Sequence, residues 1–270
     1  MKADLLIINY NTKDLLKRLL DTLHSDYEPD VWNLYIQDNG STDGSVEFLR
    51  NTNTQYDIKH ISYSKNVGYS RAINSLGTIT DSEVLVAVNA DTWFTTNHVK
   101  QALKTFEDNP NQAVLGVKQL DEKKHIRHGG IFWDGLGSKP PFHRGWNLWD
   151  PYDNHHKDRI QCWTVSGSIY YMRRTVWDEV GSYLRDKGVI ESNETGSWLS
   201  TPHYYEETFF SQVVQHLGYE VWYDGAVETA GHSWHASSPV GGEADQKFHQ
   251  SQKMYVEACE KLGIAHEIRK

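Results

Sequence analysis

The first third of the chain alternates between two hydrophobic periods. ADLLIINY (3–10) is a continuous apolar run, short enough for a strand buried on both faces. In TKDLLKRLLDTLH (12–24), Leu15, Leu16, Leu19, Leu20 and Leu23 share one helical face, with Thr12 as the expected N-cap. WNLYIQDNG (32–40) reads as a second strand that ends at Asp38, Asn39 and Gly40. Ser41, Thr42 and Asp43 are placed to cap a helix over 43–52. A short strand near 58–63, the loop SKNVGYS, a helix over 69–77 and a strand over 83–89 follow. Such alternation predicts right-handed crossovers and a mostly parallel central sheet flanked by helices, an α/β, Rossmann-like class. In these sheets ligands sit at the carboxyl ends of the strands. Asp38 and Asp91 are both expected there.

The second half is less regular. Residues 121–160 are rich in Gly, Pro, His, Trp and Asp, and are long for a connection. WTVSGSIYYMRR (163–174) predicts a strand and TVWDEVG (175–181) a short helix closed by Gly181. HYYEETFFSQVVQHLG (203–218) predicts a helix closed by Gly218, with YEVWYDG (219–225) a strand after it. Residues 243–262 have the pattern of an amphipathic C-terminal helix. No repeat, low-complexity segment or linker interrupts the pattern.

Composition narrows the function classes. Ten Trp and fifteen Tyr leave aromatics over for a binding cleft once a core is built. A net charge of −9 does not favour a broad nucleic-acid footprint, although Arg127, Arg144, Arg159, Arg173 and Arg174 could still line a local basic groove. Cys162 and Cys259 match no metal spacing and are read as two reduced thiols. No signal-peptide pattern follows Met1, and no apolar run approaches the roughly 20 residues of a membrane span, so a cytoplasmic protein without a span is expected.

Five short stretches carry candidate chemistry. Asp38-Asn39-Gly40-Ser41 suits a turn equally well as a carboxylate accepting from the N3–H of uracil or thymine. In SKNVGYSR (64–71), Gly68 permits close backbone approach and Arg71 can pair with phosphate, against the alternative of a solvated basic loop. LVAVNADTW (85–93) ends a strand on Asn89-Ala90-Asp91, and one Asp suffices to anchor a hard cation that keeps phosphate and water in its shell. In HYYEETFF (203–210), aromatics surround Glu206 and Glu207 and would raise a carboxyl towards the working range of a general base; pairing with a helix dipole is the alternative. In GHSWH (231–235), His232 suits a manganese-like ion or a phosphate.

The order of these stretches is more specific than any one of them. IINYNTKDLLKRLLDTL, YIQDNGSTDGS, SKNVGYSRAINSLG, VAVNADTWF, VSGSIYYMRRTVWDEVG, YYEETFFSQVVQHLGYEVWYDGAV and GHSWHAS together resemble the family 2 glycosyltransferases of GT-A fold, in particular the rhamnosyltransferase-like branch, over roughly residues 3–238. The resemblance implies one GT-A domain over 1–240, with a nucleotide-binding half (1–95), an acceptor and catalytic half (96–240), and a helical extension over 241–270. It implies that Ile8, Tyr10, Asp38, Asn66, Gly68, Arg71, Asn89 and Asp91 bind the nucleotide. Asp91 and His232 would hold Mn²⁺ or Mg²⁺, and the acid pair Glu206-Glu207 would supply the base from Glu207. The implied reaction is inverting transfer of a sugar from a UDP- or dTDP-type donor to a hydroxyl of a glycan or another acceptor. Trp163 and Gly167, with Trp133 and Trp146 nearby in sequence, are the expected acceptor contacts.

Two positions depart from the family pattern. Asn89 stands where the metal motif usually begins with Asp, and Glu207 where the base is usually Asp. A GT-A-like binder of sugar or nucleotide without turnover therefore stays open, as does a phage-type enzyme acting on a modified DNA base. A nucleotidyltransferase would normally show a Gly-rich basic phosphate loop near the N-terminus, which NYNTKD lacks.

Overall fold

A computed structural model describes residues 1–25, 27–52, 55–135, 140–233 and 242–266. The chain opens with β1 (Ala3–Asn9), α1 (Lys13–His24), β2 (Trp32–Asp38), α2 (Ser45–Thr52), β3 (His60–Tyr63), α3 (Tyr69–Gly77) and β4 (Val84–Asn89). It continues with β5 (Thr92–Trp93), α4 (His98–Asp108), β6 (Gln112–Val117), β7 (Gln119–Leu120), β8 (Ile126–His128), β9 (Ile131–Phe132), β10 (Phe142–His143) and β11 (Arg159–Gln161). The last elements are β12 (Ile169–Arg173), α5 (Arg174–Asp186), α6 (Glu206–His216), β13 (Glu220–Asp224), β14 (Ala230–His232) and α7 (Gly242–Leu262).

Eight strands form the central sheet in the order β11-β13-β6-β12-β4-β1-β2-β3. The expected parallel pairing holds for β1 with β2 and β4, and for β2 with β3. Strand residues alternate between two cores, as a period of two requires. Leu5, Ile7, Val84, Val86, Val88, Ile169 and Tyr171 pack on one face with Leu16, Leu20 and Phe106. Leu6, Ile8, Leu85, Ala87, Tyr170 and Met172 pack on the other with Ile73, Trp177, Phe210 and Tyr255. The result is a sheet covered by helices on both sides. No helix among the described residues is long and apolar enough to cross a membrane.

Several expectations are corrected. The strand expected over 163–174 begins only at Ile169, and it runs antiparallel to both β4 and β6. α5 does not end at Gly181 but continues to Asp186. Gly181 is there because the helix passes close to a loop: a Cβ would stand 2.6 Å from Ser197 Oγ and 2.7 Å from the Gly196 carbonyl. Thr12 occupies the N-cap position of α1, yet its hydroxyl donates to Asn9 Oδ1 at 2.8 Å rather than capping the helix. Asp43 instead accepts from the Lys13 N–H at 2.8 Å and from the Ser45 N–H at 3.0 Å, so it serves the first turns of α1 and α2 together. Residues 121–160 contain β8 to β11 and are tied down by a buried cation. Lys118, fully buried, pairs with Asp150 and, at 2.7 Å, with Asp153, and donates to the His155 carbonyl at 2.6 Å. Cys162 and Cys259 are buried thiols that form no disulfide.

Candidate active site

The registers bring the carboxyl ends of the parallel strands level. Asn9 lies opposite Asp38, and Ile8 opposite Asn89. Over these ends opens a cleft of about 1240 Å³. Ile8, Tyr10, Asn66, Gly68, Arg71, Asn89 and Asp91, the expected nucleotide contacts, all line it. Gly68 precedes α3 with φ 90°, a conformation that favours glycine, and its N–H donates to Asn66 Oδ1 at 3.0 Å.

Asp38 is the exception. It is fully buried and does not line the cleft. Its Oδ1 accepts from the N–H groups of Gly40 (3.0 Å) and Ser41 (2.8 Å), and its Oδ2 from Asn9 Nδ2 at 2.7 Å. Both oxygens are thus committed to the turn, so the carboxylate shapes the floor from beneath. Its neighbour Asn39 reaches the cleft instead. Asn39 was overlooked because the sequence marks Asp-Asn-Gly-Ser as a turn without saying which side chain faces outward.

The metal candidates meet through a local hairpin-like pairing. After β4, the chain turns through Ala90 and Asp91 into β5, which pairs antiparallel with β14 so that His232 lies opposite Thr92. The Ser233 N–H donates to the Asp91 carbonyl at 2.8 Å. His232 Nε2 then stands 3.4 Å from Asp91 Oδ1, and both side chains are buried at the cleft wall. Gly231 is required here, since a Cβ would fall 1.6 Å from Cε2 of the Trp93 ring. One carboxylate and one imidazole suit a divalent ion that takes its other ligands from phosphate and water. Among the described residues no group of three or more His, Cys, Asp or Glu could enclose an ion. The remaining residues of GHSWHAS, Trp234 to Ser237, lie outside the described residues.

The acid pair opens α6. Tyr204 and Tyr205, immediately before it, both have left-handed backbones, with φ 70° and 72°. Each costs on the order of 1 kcal/mol for a residue with a Cβ. Glu206 is buried and its Oε2 accepts from Thr201 Oγ1 at 3.0 Å. Burial raises the Glu206 carboxyl, against the pull of its own N–H and of Thr201. Glu207 faces the cleft beside Gly167, where a Cβ would stand 3.4 Å from the Glu207 carboxyl carbon. Burial, and then the charge of Glu206, push the Glu207 carboxyl up to about 8. Tyr69 and Tyr170 brace this corner, donating to the carbonyls of Gly167 (3.2 Å) and Glu207 (3.3 Å).

Trp163 and Gly167, the expected acceptor contacts, also line the cleft. Trp133 and Trp146 do not; Trp133 packs on Trp163 with ring centroids 5.4 Å apart, and Trp146 lies under Arg127 at 5.4 Å. The five arginines form no common groove. Arg127 alone reaches the cleft. Arg144 pairs with Asp158 at 2.7 Å, and Arg159 lies 3.7 Å from Asp224. Arg173 and Arg174 donate to backbone carbonyls of Gln112 and Gly77. Sequence reasoning also missed Lys247, Gln250 and Met254, which α7 brings to the cleft. Their spacing along one helical face was visible, but nothing local showed what that face meets.

Fold and cleft together describe an α/β protein with a cleft over the strand carboxyl ends, with Asp91 and His232 on one wall and a raised carboxyl on another. The family model for glycosyl transferase family 2 matches residues 4–181, more than half of the chain, and the chain belongs to that family. A comparison with curated proteins finds no match. Among solved structures, the chain is similar to S. aureus TarS 1–349, with a TM-score of 0.61, 13% identity, and 96% of this chain and 65% of that one covered. The same TarS segment in complex with UDP-GlcNAc gives 0.60 and 14%, with 97% and 70% covered. The mannosyltransferase PcManGT from Pyrobaculum calidifontis, in complex with GDP-Man and Mn²⁺, gives 0.63 and 14%, with 98% and 66% covered. At these identities the likeness shows the fold; the chain spans about two thirds of these solved chains and 39% of the longer TarS chain.

Proposed function

We propose that the protein is an inverting glycosyltransferase that moves a sugar from a UDP- or dTDP-type nucleotide sugar to an acceptor hydroxyl, with Glu207 as general base. The observation that carries this reading is Glu207 itself. It is a cleft carboxyl pushed up to about 8, delivered by a strained turn, in a family 2 chain. A base near neutrality is matched to taking a proton from a hydroxyl.

In this reading Ile8, Tyr10, Asn39, Asn66 and Gly68 take the nucleoside, and Arg71 the diphosphate. Asp91 and His232 would hold Mn²⁺ or Mg²⁺. A divalent ion bound there neutralises charge on the leaving diphosphate. The Mn²⁺ and GDP-Man of the PcManGT structure support that assignment. Trp163 and Gly167 seat the acceptor, with the indole stacking on a sugar face. Glu207 takes the acceptor's hydroxyl proton, and the oxygen attacks the anomeric carbon. The bond to the diphosphate breaks on the opposite face, and the nucleoside diphosphate leaves with the electron pair, which inverts the centre. Glu206 keeps a carboxyl beside Glu207 and so keeps the latter's proton affinity high. We take 1–240 as the catalytic domain of this enzyme.

Asn89 favours a second reading, in which the cleft binds a nucleotide sugar without turnover, because it leaves Asp91 as the one carboxylate of the metal motif. One experiment separates the two. UDP-, dTDP- and GDP-sugars are incubated with a panel of glycan acceptors, with and without Mn²⁺, and nucleoside-diphosphate release is measured. Release that disappears in Glu207→Gln supports the enzyme; thermal stabilisation by UDP with no release from any donor supports the binder.

A further inference from the structure

α7 lies beyond the residues matched by the family model, and the sequence offers it only as an extension. Its inner face nevertheless meets the turn that carries the acid pair. The His203 N–H donates to Ser251 Oγ at 2.9 Å, and Ser251 is fully buried. The Tyr205 ring stacks on Tyr255, with centroids 4.8 Å apart and planes 20° apart. Tyr255, also fully buried, donates its hydroxyl to Gln212 Oε1 of α6 at 2.6 Å. Phe248 meets the rings of Tyr204 and Tyr205 at 6.0 and 5.7 Å. Ser251 and Tyr255 are four residues apart and so share one side of the helix.

Between these contacts stand the two left-handed tyrosines. Neither residue type favours that conformation, so the turn persists only where its surroundings over-determine it. Glu206 and Glu207 follow it directly, and a small rotation of the turn would swing both carboxyls. Lys247, Gln250 and Met254 of the same helix line the cleft at that point.

We infer that α7 is part of the catalytic apparatus, with Ser251 and Tyr255 acting as positioning residues that hold the Tyr204–Tyr205 turn and thereby place Glu207. This rests on the reading of Glu207 as the base. Glu207 interacts with Glu206 on its own helix, Tyr69 of α3 and Tyr170 of β12, and shares the cleft lining with Asp91, His232, His203 of the turn and Lys247 of α7. Loosening the turn changes the exposure of Glu207 to water while leaving all of these in the chain.

The test uses the full chain with Ser251→Ala, Ser251→Thr, Tyr255→Leu and Tyr255→Phe, and Lys253→Ala on the solvent side of α7 as control. Two quantities are read. One is turnover of UDP-GlcNAc and GDP-mannose with Mn²⁺, alongside the Kd for UDP. The other is the titration of the Glu207 carboxyl by carbon NMR, assigned by its absence in Glu207→Gln. Ser251→Ala and Tyr255→Leu are expected to lower kcat about tenfold or more, the scale of a small misplacement of a reacting group, with the Kd for UDP nearly unchanged. They should also move the Glu207 titration towards the ordinary carboxylate range. Ser251→Thr and Tyr255→Phe, which keep the hydroxyl and the ring, should restore both, and Lys253→Ala should change neither. The inference is overturned if Ser251→Ala and Tyr255→Leu titrate and turn over as the parent does, or if their whole loss lies in UDP affinity. If the parent itself releases no nucleoside diphosphate, the enzyme reading fails, and the titration still decides whether α7 holds the turn.

Discussion

Replacing Glu207 by Gln should make the protein more stable while abolishing its proposed chemistry. The carboxyl ordinarily ionises near 4.5, and in the fold it is pushed up to about 8. The folded state therefore holds a proton that the unfolded chain releases. Between about pH 4.5 and 8 folding binds protons, so the wild-type stability falls as pH rises through that window and flattens above it. Each pH unit is worth about 1.4 kcal/mol, which sets a ceiling of roughly 3 kcal/mol at pH 7 and about 5 kcal/mol above pH 8. The cleft is open to water, so a measured gain of about 1–3 kcal/mol at pH 8 is expected. Glutamine has the same shape and never ionises, so the variant should track the wild type at pH 4.5 and separate from it as pH increases. In a protein of 270 residues a gain of 2 kcal/mol raises Tm by about 4 °C. Removing a general base should also cost about 10²- to 10⁴-fold in kcat. The assay is urea unfolding of both proteins at pH 5, 7 and 8.5. A difference that stays at zero across that range would refute the desolvated carboxyl and, with it, the physical basis for the base assignment.

Other residues give independent predictions. Gly231→Ala drives a methyl into the Trp93 ring, so a loss of about 2 kcal/mol or more in thermal unfolding is expected, together with weaker Mn²⁺-dependent binding of UDP because β14 carries His232; a wild-type Tm would contradict it. His232→Ala should weaken Mn²⁺-dependent UDP binding about 10- to 100-fold in calorimetry and leave metal-free UDP binding in place. Lys118→Ala leaves Asp150 buried without its cation and should cost about 3–5 kcal/mol in chemical unfolding, with proteolysis newly admitted near 150–157, whereas an unchanged midpoint would show that the pair is not buried in solution.

What the sequence disclosed depended on range. The elements of the first ninety or so residues were legible because each is written in its own periodicity: Leu16, Leu19, Leu20 and Leu23 bury one side of α1, and the strand runs are apolar on both faces. β6, in the sheet's second half, and α4 before it were not anticipated, although β6 is as fully buried as β1. Gly181 was misread because a glycine that ends a helix and a glycine that lets a helix approach a loop look alike locally. The long segment over 121–160 hides its order in a tertiary contact: Lys118 fixes Asp150 and Asp153 from more than thirty residues away. In the cleft, Asn89 and Asp91 were legible as a strand end, whereas Asn66, Gly68 and Arg71 came from the family resemblance. The packing of Asp38 into its own turn, and the arrival of α7, are properties of the assembled chain.

The raised carboxyls also bear on the single carboxylate at the end of β4. With the Glu207 carboxyl pushed up to about 8, the resting cleft near neutrality holds a proton there, and Asp91 shares the cleft lining with Arg71, Arg127 and Lys247. A neutral Asn89 adds to that bias. Such a cleft receives a doubly charged diphosphate without paying for like-charge repulsion. The proposed chemistry needs the opposite state at Glu207, a carboxylate. Donor binding should thus weaken, and proton abstraction strengthen, as pH rises through about 8. The two trends oppose one another in kcat/KM but not in kcat at saturating donor. In this reading Asn89 serves donor binding: beside Asp91, a second fixed anion at the end of β4 would work against a bound diphosphate.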